Sequence, residues 1–340
     1  MPHRKENYAT KHPPTDQFNR IPQKLRLSIT DRCNMHCVYC MPQKGIPLYP
    51  KNEILSYEEI HRLTTIFAGL GVEKIRLTGG EPLVRPDIEK LICALSNIAG
   101  IKTLGMTTNG LLLGKKAAQL KAAGLQSINV SLDTLNPNKF KSITRIDGLS
   151  KVLLSLQTAN DEGFEIKLNT VIIRGQNDDE IADFAQFATA NGYPVRFIEF
   201  MPLDGSHIWN PSLVVTKEEM VQRLNKSGLA LLPLNNSLSD PARLYAIKGQ
   251  SGTLGFIPSI SEPFCGTCDR IRLTSDGKFL TCIFEHPQND VKKLLRAGKS
   301  DKELADYLIA CYQKKPQGLI SLLEHKTLRS GLNLMNTIGG

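Results

Sequence analysis

No stretch of the sequence approaches the roughly 18 consecutive apolar residues that a membrane span requires, so no membrane attachment is expected. The N-terminal segment, Met1 to Arg20, is mostly polar and carries Glu6 and Asp16. It has neither the apolar centre of a secretory signal nor the acid-poor composition of a transit peptide. It is read as a flexible arm, residues 1–20, and the chain as cytoplasmic. Aromatic residues are sparse, at 6%, and no long Lys/Arg run accompanies the net charge of +9. Nucleic-acid binders combine basic stripes with aromatic stacking platforms, so no nucleic-acid partner is expected. Basic residues gathered in one cleft suit a phosphate-bearing small ligand instead. The signature of a disulfide scaffold is missing too. The eight cysteines sit in 340 residues, and six of them form two groups of three, which points to metal binding in a reducing compartment. Cys93 and Cys311 stand alone and are expected to be structural.

The first group, Cys33, Cys37 and Cys40, has the spacing C-x3-C-x2-C. Three thiolates so close in sequence can hold three irons of a [4Fe–4S] cube and leave the fourth iron without a protein ligand. An open iron is a place for chemistry as well as for electron storage. The alternative is a zinc knuckle, but zinc sites want four ligands in paired groupings. His36 lies between two of the thiolates and would strain to reach the same ion. The second group, Cys265, Cys268 and Cys282, reads C-x2-C-x13-C. It again lacks an obvious fourth ligand, although C-x2-C is a usual zinc half-site and His286 lies just downstream. Arg270 and Arg272 flank Ile271 beside it. In an extended segment the two guanidiniums point the same way, a two-pronged phosphate grip beside the metal, unless they are simply surface arginines.

From Lys24 to about Pro202, β-like and helical runs alternate. The β-like runs are Lys24–Thr30, Lys74–Thr78, Thr103–Thr107, Gln126–Leu132, Glu165–Ile173 and Val195–Phe200. Helices are expected from the capping box at Ser56 to Gly69, and over Pro86–Ile98, Gly114–Ala123, Leu149–Glu162 and Asp178–Ala190. This order implies a parallel sheet with helices outside, closed or partly closed as a barrel whose site lies at the C-terminal strand ends. The strands are polar on one face. Arg26, Ser28 and Thr30 alternate with Leu25, Leu27 and Ile29, and Lys74, Arg76 and Thr78 with Ile75 and Leu77. Ser127, Asn129, Ser131 and Asp133 share a face, as do Lys167 and Asn169. A fully covered parallel sheet is apolar on both faces, so this alternation predicts a polar lumen holding a charged ligand. A solvated antiparallel sheet would alternate likewise, but the intervening helices argue against it. Beyond Pro202 the pattern breaks, with a helix expected over Thr216–Leu224 and strand-like pieces around Ala242–Gly255. The expected division is an arm over 1–20, a partial barrel over 21–205 and a C-terminal region over 206–340.

C-x3-C-x2-C after a first strand, with Gly79-Gly80-Glu81-Pro82 closing the second, resembles the radical S-adenosylmethionine (SAM) superfamily. The resemblance implies an incomplete (β/α)6 TIM-type barrel in which SAM chelates the open iron and is cleaved to a 5′-deoxyadenosyl radical. Tyr39, Gly80, Ser131 and Met201 match SAM-contacting positions. The second cysteine triplet, the basic strand faces and Gly339-Gly340 together resemble the GTP 3′,8-cyclase family over roughly residues 20–340. That resemblance implies two [4Fe–4S] clusters, SAM as cofactor and GTP as substrate. The radical takes hydrogen from ribose C3′, and the carbon radical attacks guanine C8. The product is (8S)-3′,8-cyclo-7,8-dihydroguanosine 5′-triphosphate, the first step of molybdenum cofactor biosynthesis. Arg26, Arg76, Thr107, Lys167, Arg270, Ile271 and Arg272 match substrate-contacting positions, and the Gly339-Gly340 tail is implied to enter the site. A flavodoxin or ferredoxin reductant, a downstream cyclic pyranopterin monophosphate synthase and a homodimer are implied as partners. The rival readings are another radical SAM enzyme with an auxiliary cluster, such as a peptide or sulfatase maturase, and a non-catalytic iron–sulfur or zinc protein that binds nucleic acid.

Overall fold

Six strands and the helices between them follow the expected alternation in the computed structural model, which describes residues 13–42, 44–237, 239–325 and 335–339. They are β1 (Lys24–Ser28), α1 (Tyr57–Gly69), β2 (Lys74–Thr78), α2 (Ile88–Ser96), β3 (Thr103–Thr108), α3 (Leu113–Ala122), β4 (Ser127–Ser131), α4 (Pro137–Thr144), α5 (Leu149–Asp161), β5 (Glu165–Ile172), α6 (Ile181–Asn191) and β6 (Val195–Glu199). Local chemistry sets several boundaries. Ser56 and Glu59 close a capping box at the start of α1, whose buried stripe is Ile60, Leu63, Ile66 and Phe67. Helix α4 lies outside the sequence expectation. Asn136 caps it by accepting from the backbone N–H groups of Asn138 and Lys139, with Pro137 pre-set at its first position.

The chain continues through α7 (Lys217–Lys226), β7 (Leu231–Leu234), β8 (Arg243–Ile247), β9 (Thr253–Ile257), β10 (Arg270–Leu273), β11 (Lys278–Leu280), β12 (Asn289–Asp290), α8 (Val291–Arg296), α9 (Asp301–Gln313), α10 (Leu319–Glu324) and α11 (Met335–Ile338). One sheet of 12 strands holds them in the order β12-β11-β10-β1-β2-β3-β4-β5-β6-β9-β8-β7. β10 joins β1 in parallel and β9 joins β6 in parallel. The C-terminal strands therefore extend the barrel sheet on both flanks instead of building a detached unit. The break in pattern after Pro202 is a change of connectivity rather than an end of the sheet. The sheet curls. Ile257 from β9 and Arg270 from β10 stand on opposite flanks of the six central strands, yet both line the same cavity.

The outer face of the curl carries the apolar core. Leu25, Leu27, Ile75, Leu77, Ile128, Val130, Ile166 and Leu168 are buried there beneath the helices. Their alternate neighbours point inward, as period-two geometry requires. Residues 13–20, expected to be part of a loose arm, are described, and two of them, Asp16 and Arg20, are buried. Asp16 and Arg20 form a buried ion pair at 2.5 Å, and Arg20 also donates to the carbonyl oxygens of Cys265 and Pro316, each at 2.8 Å. Residues 1–12 lie outside the described residues. Among the described residues no helix is long and apolar enough to cross a membrane.

Candidate active site

The cavity inside the curl has a volume of about 320 Å³ and is lined by both cysteine triplets, Cys33, Cys37 and Cys40 on one side and Cys265, Cys268 and Cys282 on the other. The first triplet sits on the loop after β1. Its backbone is tied down by hydrogen bonds from His36 N–H to the Thr144 carbonyl at 3.2 Å and from Val38 N–H to the Ile143 carbonyl at 2.9 Å. The Sγ of Cys33 accepts from Met35 N–H at 3.4 Å and from Asn109 Nδ2 at 3.8 Å. Burial pushes the Cys33 thiol up to about 11, and burial, followed by the charge of Asp133, raises Cys37 well above its ordinary value. Bare thiolates are disfavoured in so dry a place, whereas thiolates that face cationic iron are compensated. Among the described residues no three His, Cys, Asp or Glu side chains close on a single metal ion, but three soft sulfur donors on one loop suit in chemistry an iron–sulfur cube, whose ligands each take a different iron.

The second triplet fits for a different reason. Cys265 and Cys282 flank Gly318, whose φ of +84° is left-handed; a Cβ there would stand 3.0 Å from Cys265 Sγ and 3.7 Å from Cys282 Sγ. The space beside the sulfurs is kept clear by the missing side chain. Burial raises the Cys282 thiol to about 11. Burial also acts to raise Cys268, but nearby Arg270 and Lys315 outweigh it and hold that thiol below its ordinary value. Gly318→Ala is expected to lower iron content toward half by displacing Cys265 while leaving the first triplet loaded. Iron analysis with electron paramagnetic resonance (EPR) checks this, and full iron in the variant counts against it.

Tyr39, Gly80, Ser131 and Met201, expected at a SAM pocket, all line the cavity beside the first triplet. Tyr39 donates its hydroxyl to Asp133 Oδ2 at 2.5 Å, and Asp133 Oδ1 accepts from Val171 N–H at 2.9 Å. Burial raises the Asp133 carboxyl to about 6. The Gly-Gly turn is anchored by Glu81, which accepts from Thr108 Oγ1 and Asn109 N–H, both at 2.7 Å, and from Leu83 N–H at 3.0 Å. Burial raises that carboxyl to about 7 against the pull of these donors.

Arg26, Thr107, Arg270 and Arg272 also line the cavity. Arg270 Nε and Nη2, Thr107 Oγ1, Asn129 Oδ1 and Asn169 Oδ1 are buried there without hydrogen-bond partners among the described residues. Unpaired buried polar atoms are costly, and here donors and acceptors converge on one space. Arg26 is held well below its ordinary value by burial and then by Arg272, Arg76, Arg270 and Arg196. Arg272 falls to about 10 through burial and then Arg270. Cations packed together this tightly define an anion site. Arg272 Nη1 donates to the Gly339 carbonyl, and Gly339 sits against Thr78 and Ser28, which places Gly339 beside two residues of the cavity lining, Arg272 and Thr78. Gly340 lies outside the described residues.

Three expected substrate contacts do not line the cavity. Arg76 lies a layer below, spread over Gly105, where a Cβ would stand 2.8 Å from its Cζ. It donates to the Met106 carbonyl at 3.1 Å, and burial followed by Arg196 lowers it to about 10. Lys167 is inward in phase but pairs with Glu165 near the start of β5. Ile271 alternates with the two arginines and is buried in the apolar core on the far face. Arg196, which lines the cavity, was not singled out from the sequence, although its alternation with Val195 and Phe197 carried the signal. Of the two lone cysteines, Cys311 packs against the core as expected, whereas Cys93 is exposed on α2.

A partial barrel that carries three cysteines on the loop after its first strand defines a radical SAM protein, and residues 27–188 match the Radical SAM superfamily. Residues 193–320 match the family Molybdenum Cofactor Synthesis C. The chain is 45% identical to the GTP 3′,8-cyclase of Thermodesulfovibrio yellowstonii, over 96% of this chain and 99% of that one. It is 42% identical to the mitochondrial GTP 3′,8-cyclase of Arabidopsis thaliana, over 91% and 79%. Human molybdenum cofactor biosynthesis protein 1 is also 42% identical over 92% of this chain, which spans half of that longer protein. The chain belongs to the GTP 3′,8-cyclase family. Among solved structures, Streptococcus suis SuiB bound to precursor peptide SuiA is similar in fold, with a TM-score of 0.58 at 16% identity over 88% of this chain and 67% of that one.

Proposed function

We propose that this chain is a radical SAM GTP 3′,8-cyclase, a lyase that joins ribose C3′ to guanine C8 in the first step of molybdenum cofactor biosynthesis. The observation that carries the reading is the shared cavity: two three-cysteine sites face one space, with arginines between them. Cys33, Cys37 and Cys40 hold one [4Fe–4S] cluster, and Cys265, Cys268 and Cys282 hold the other. Such clusters supply, when bound, the electron that cleaves SAM and a Lewis-acidic iron for the nucleobase. Tyr39, Gly80, Ser131 and Met201 hold SAM, with Asp133 fixing the Tyr39 ring through its hydroxyl.

Arg26, Arg270 and Arg272 bind the triphosphate, and Thr107 donates from the end of β3. Arg76 and Lys167 act from below, by setting the charge of the floor. The curl of the sheet around the site limits the access of bulk water to the reacting carbon. A reduced flavodoxin or ferredoxin delivers the electron, a cyclic pyranopterin monophosphate synthase takes the product, and the chain works as a homodimer in the cytoplasm. The test is anaerobic reconstitution. About eight irons per chain, the content of two four-iron cubes, with SAM cleavage that depends on GTP, is the expected result. Zinc at the second site, or cleavage indifferent to GTP, overturns the reading.

A further inference from the structure

Lys315 is an unexpected occupant of the wall behind the second cysteine triplet. It follows α9 in sequence, and at 1% exposure it is among the largest fully buried side chains of the protein. A lysine almost never enters a protein interior unless its charge is paired, and among the described residues no carboxylate bonds to this one. Its ammonium has three N–H donors, and three acceptors surround it. The Cys268 carbonyl lies at 2.9 Å, the Arg270 carbonyl at 2.8 Å and the Cys268 Sγ at 3.8 Å. Among the described residues, the acidic group within bonding reach of the ammonium is the Cys268 sulfur, an anion in its thiolate form.

The lysine is itself gripped from behind. Its carbonyl accepts from Arg20 Nη2 at 3.4 Å and from Gln17 Nε2 at 3.3 Å. Tyr312 donates its hydroxyl to the Arg20 carbonyl at 2.9 Å, and Arg20 reaches the Cys265 carbonyl at 2.8 Å. The segment around Asp16–Arg20 thus fixes the position of the ammonium relative to the sulfurs. This explains why Asp16 and Arg20, in a segment that reads as a polar arm, are buried.

We infer that Lys315 is a positioning residue of the second metal site, which holds the Cys268–Arg270 backbone in place and, through its charge beside Cys268 Sγ, raises the reduction potential of the cluster bound there. The inference rests on the reading of Cys265, Cys268 and Cys282 as cluster ligands. Charge and hydrogen bonds at ligating sulfurs are the protein's usual means of setting a cluster potential. A reduced cluster carries one more negative charge than an oxidised one, so a fixed cation within contact of a ligand sulfur favours reduction. The carbonyl contacts do a separate job. They join the Cys268 loop to the first residue of β10, so that the metal ligand and the Arg270 and Arg272 side chains keep one spacing.

Two variants separate charge from shape. Lys315→Gln keeps a hydrogen-bond donor and removes the charge, while Lys315→Arg keeps the charge. EPR-monitored redox titration of the reconstituted full chain, without SAM or GTP, reads both clusters separately. The expected result is a more negative midpoint for the second cluster in K315Q, a midpoint close to the parent value in K315R, and an unmoved first cluster in both. Loss of the second cluster in K315Q with retention in K315R also supports the inference, since the charge is then needed to hold the metal. Equal potentials in parent and K315Q overturn it, as does the same displacement or cluster loss in K315Q and K315R, because shape would then be the cause. If K315Q loses both clusters, K315R decides: a parent-like potential supports the inference and a displaced one overturns it. A parent chain that reconstitutes with one cluster and four irons fails the cluster reading itself, an outcome visible before any variant is made.

Discussion

A Cys33→Ser chain is expected to cleave no SAM above background. Its loss should exceed the roughly 10–100-fold that removal of an outer-shell partner costs a metal site, because a ligand itself is removed. The serine hydroxyl does not ionise at neutral pH, and burial opposes the charge further. Two donors, Met35 N–H and Asn109 Nδ2, are aimed at the sulfur and would face a shorter, neutral side chain. The lesion should stay local. Cys265, Cys268 and Cys282 lie across the cavity, so GTP binding measured by equilibrium dialysis should persist while reductive SAM cleavage is gone. Normal cleavage by the variant would exclude the mechanism.

Arg270→Ala is expected to weaken GTP binding with both clusters intact. Arg270 presents two buried, unpartnered nitrogens to the cavity, and its guanidinium lies 4.6 Å over the Phe264 ring, which restrains its plane. Charge-assisted hydrogen bonds contribute about 1.5–3 kcal/mol each, which corresponds to roughly 10–150-fold in Kd. Stability should move the other way. Arg270 is one of the charges pressing on Arg26 and Arg272, so the GTP-free variant should melt no lower than the parent chain. Unchanged GTP affinity would count against the assigned role. This opposition between affinity and stability is expected wherever a binding site stores repulsion.

How much could be read from residues alone depended on the range of the interaction. The six central strands and most of the helices between them were legible because alternation and capping are local: Ser56 with Glu59 marks α1, and Leu25, Leu27, Ile75 and Leu77 give the outer face. Helix α4 escaped because it is short and weakly apolar, although Asn136-Pro137 announced its start. The pairing of β10 with β1 joins residues about 245 apart in the chain, as in Arg26 beside Arg272, and no local signal encodes it. Alternation also gives the face of a strand but not the height at which a side chain ends. Lys167 and Asn169 share a phase, yet Asn169 reaches the cavity while Lys167 turns to Glu165. Arg76 lies flat because Gly105 leaves room for it, a fact that belongs to another strand. Lys315 had no signal at all, since nothing near it in sequence hints at the sulfur it meets.

The crowded arginines have a consequence for the bench. A chamber crowded with guanidiniums attracts negative charge, and any small oxyanion relieves the crowding to a degree. Orthophosphate or sulfate at buffer strength is therefore expected to compete with the triphosphate proposed to bind there, and added salt to screen what remains. Nucleotide affinities measured in phosphate buffer and in a zwitterionic buffer describe two different starting states of the same protein.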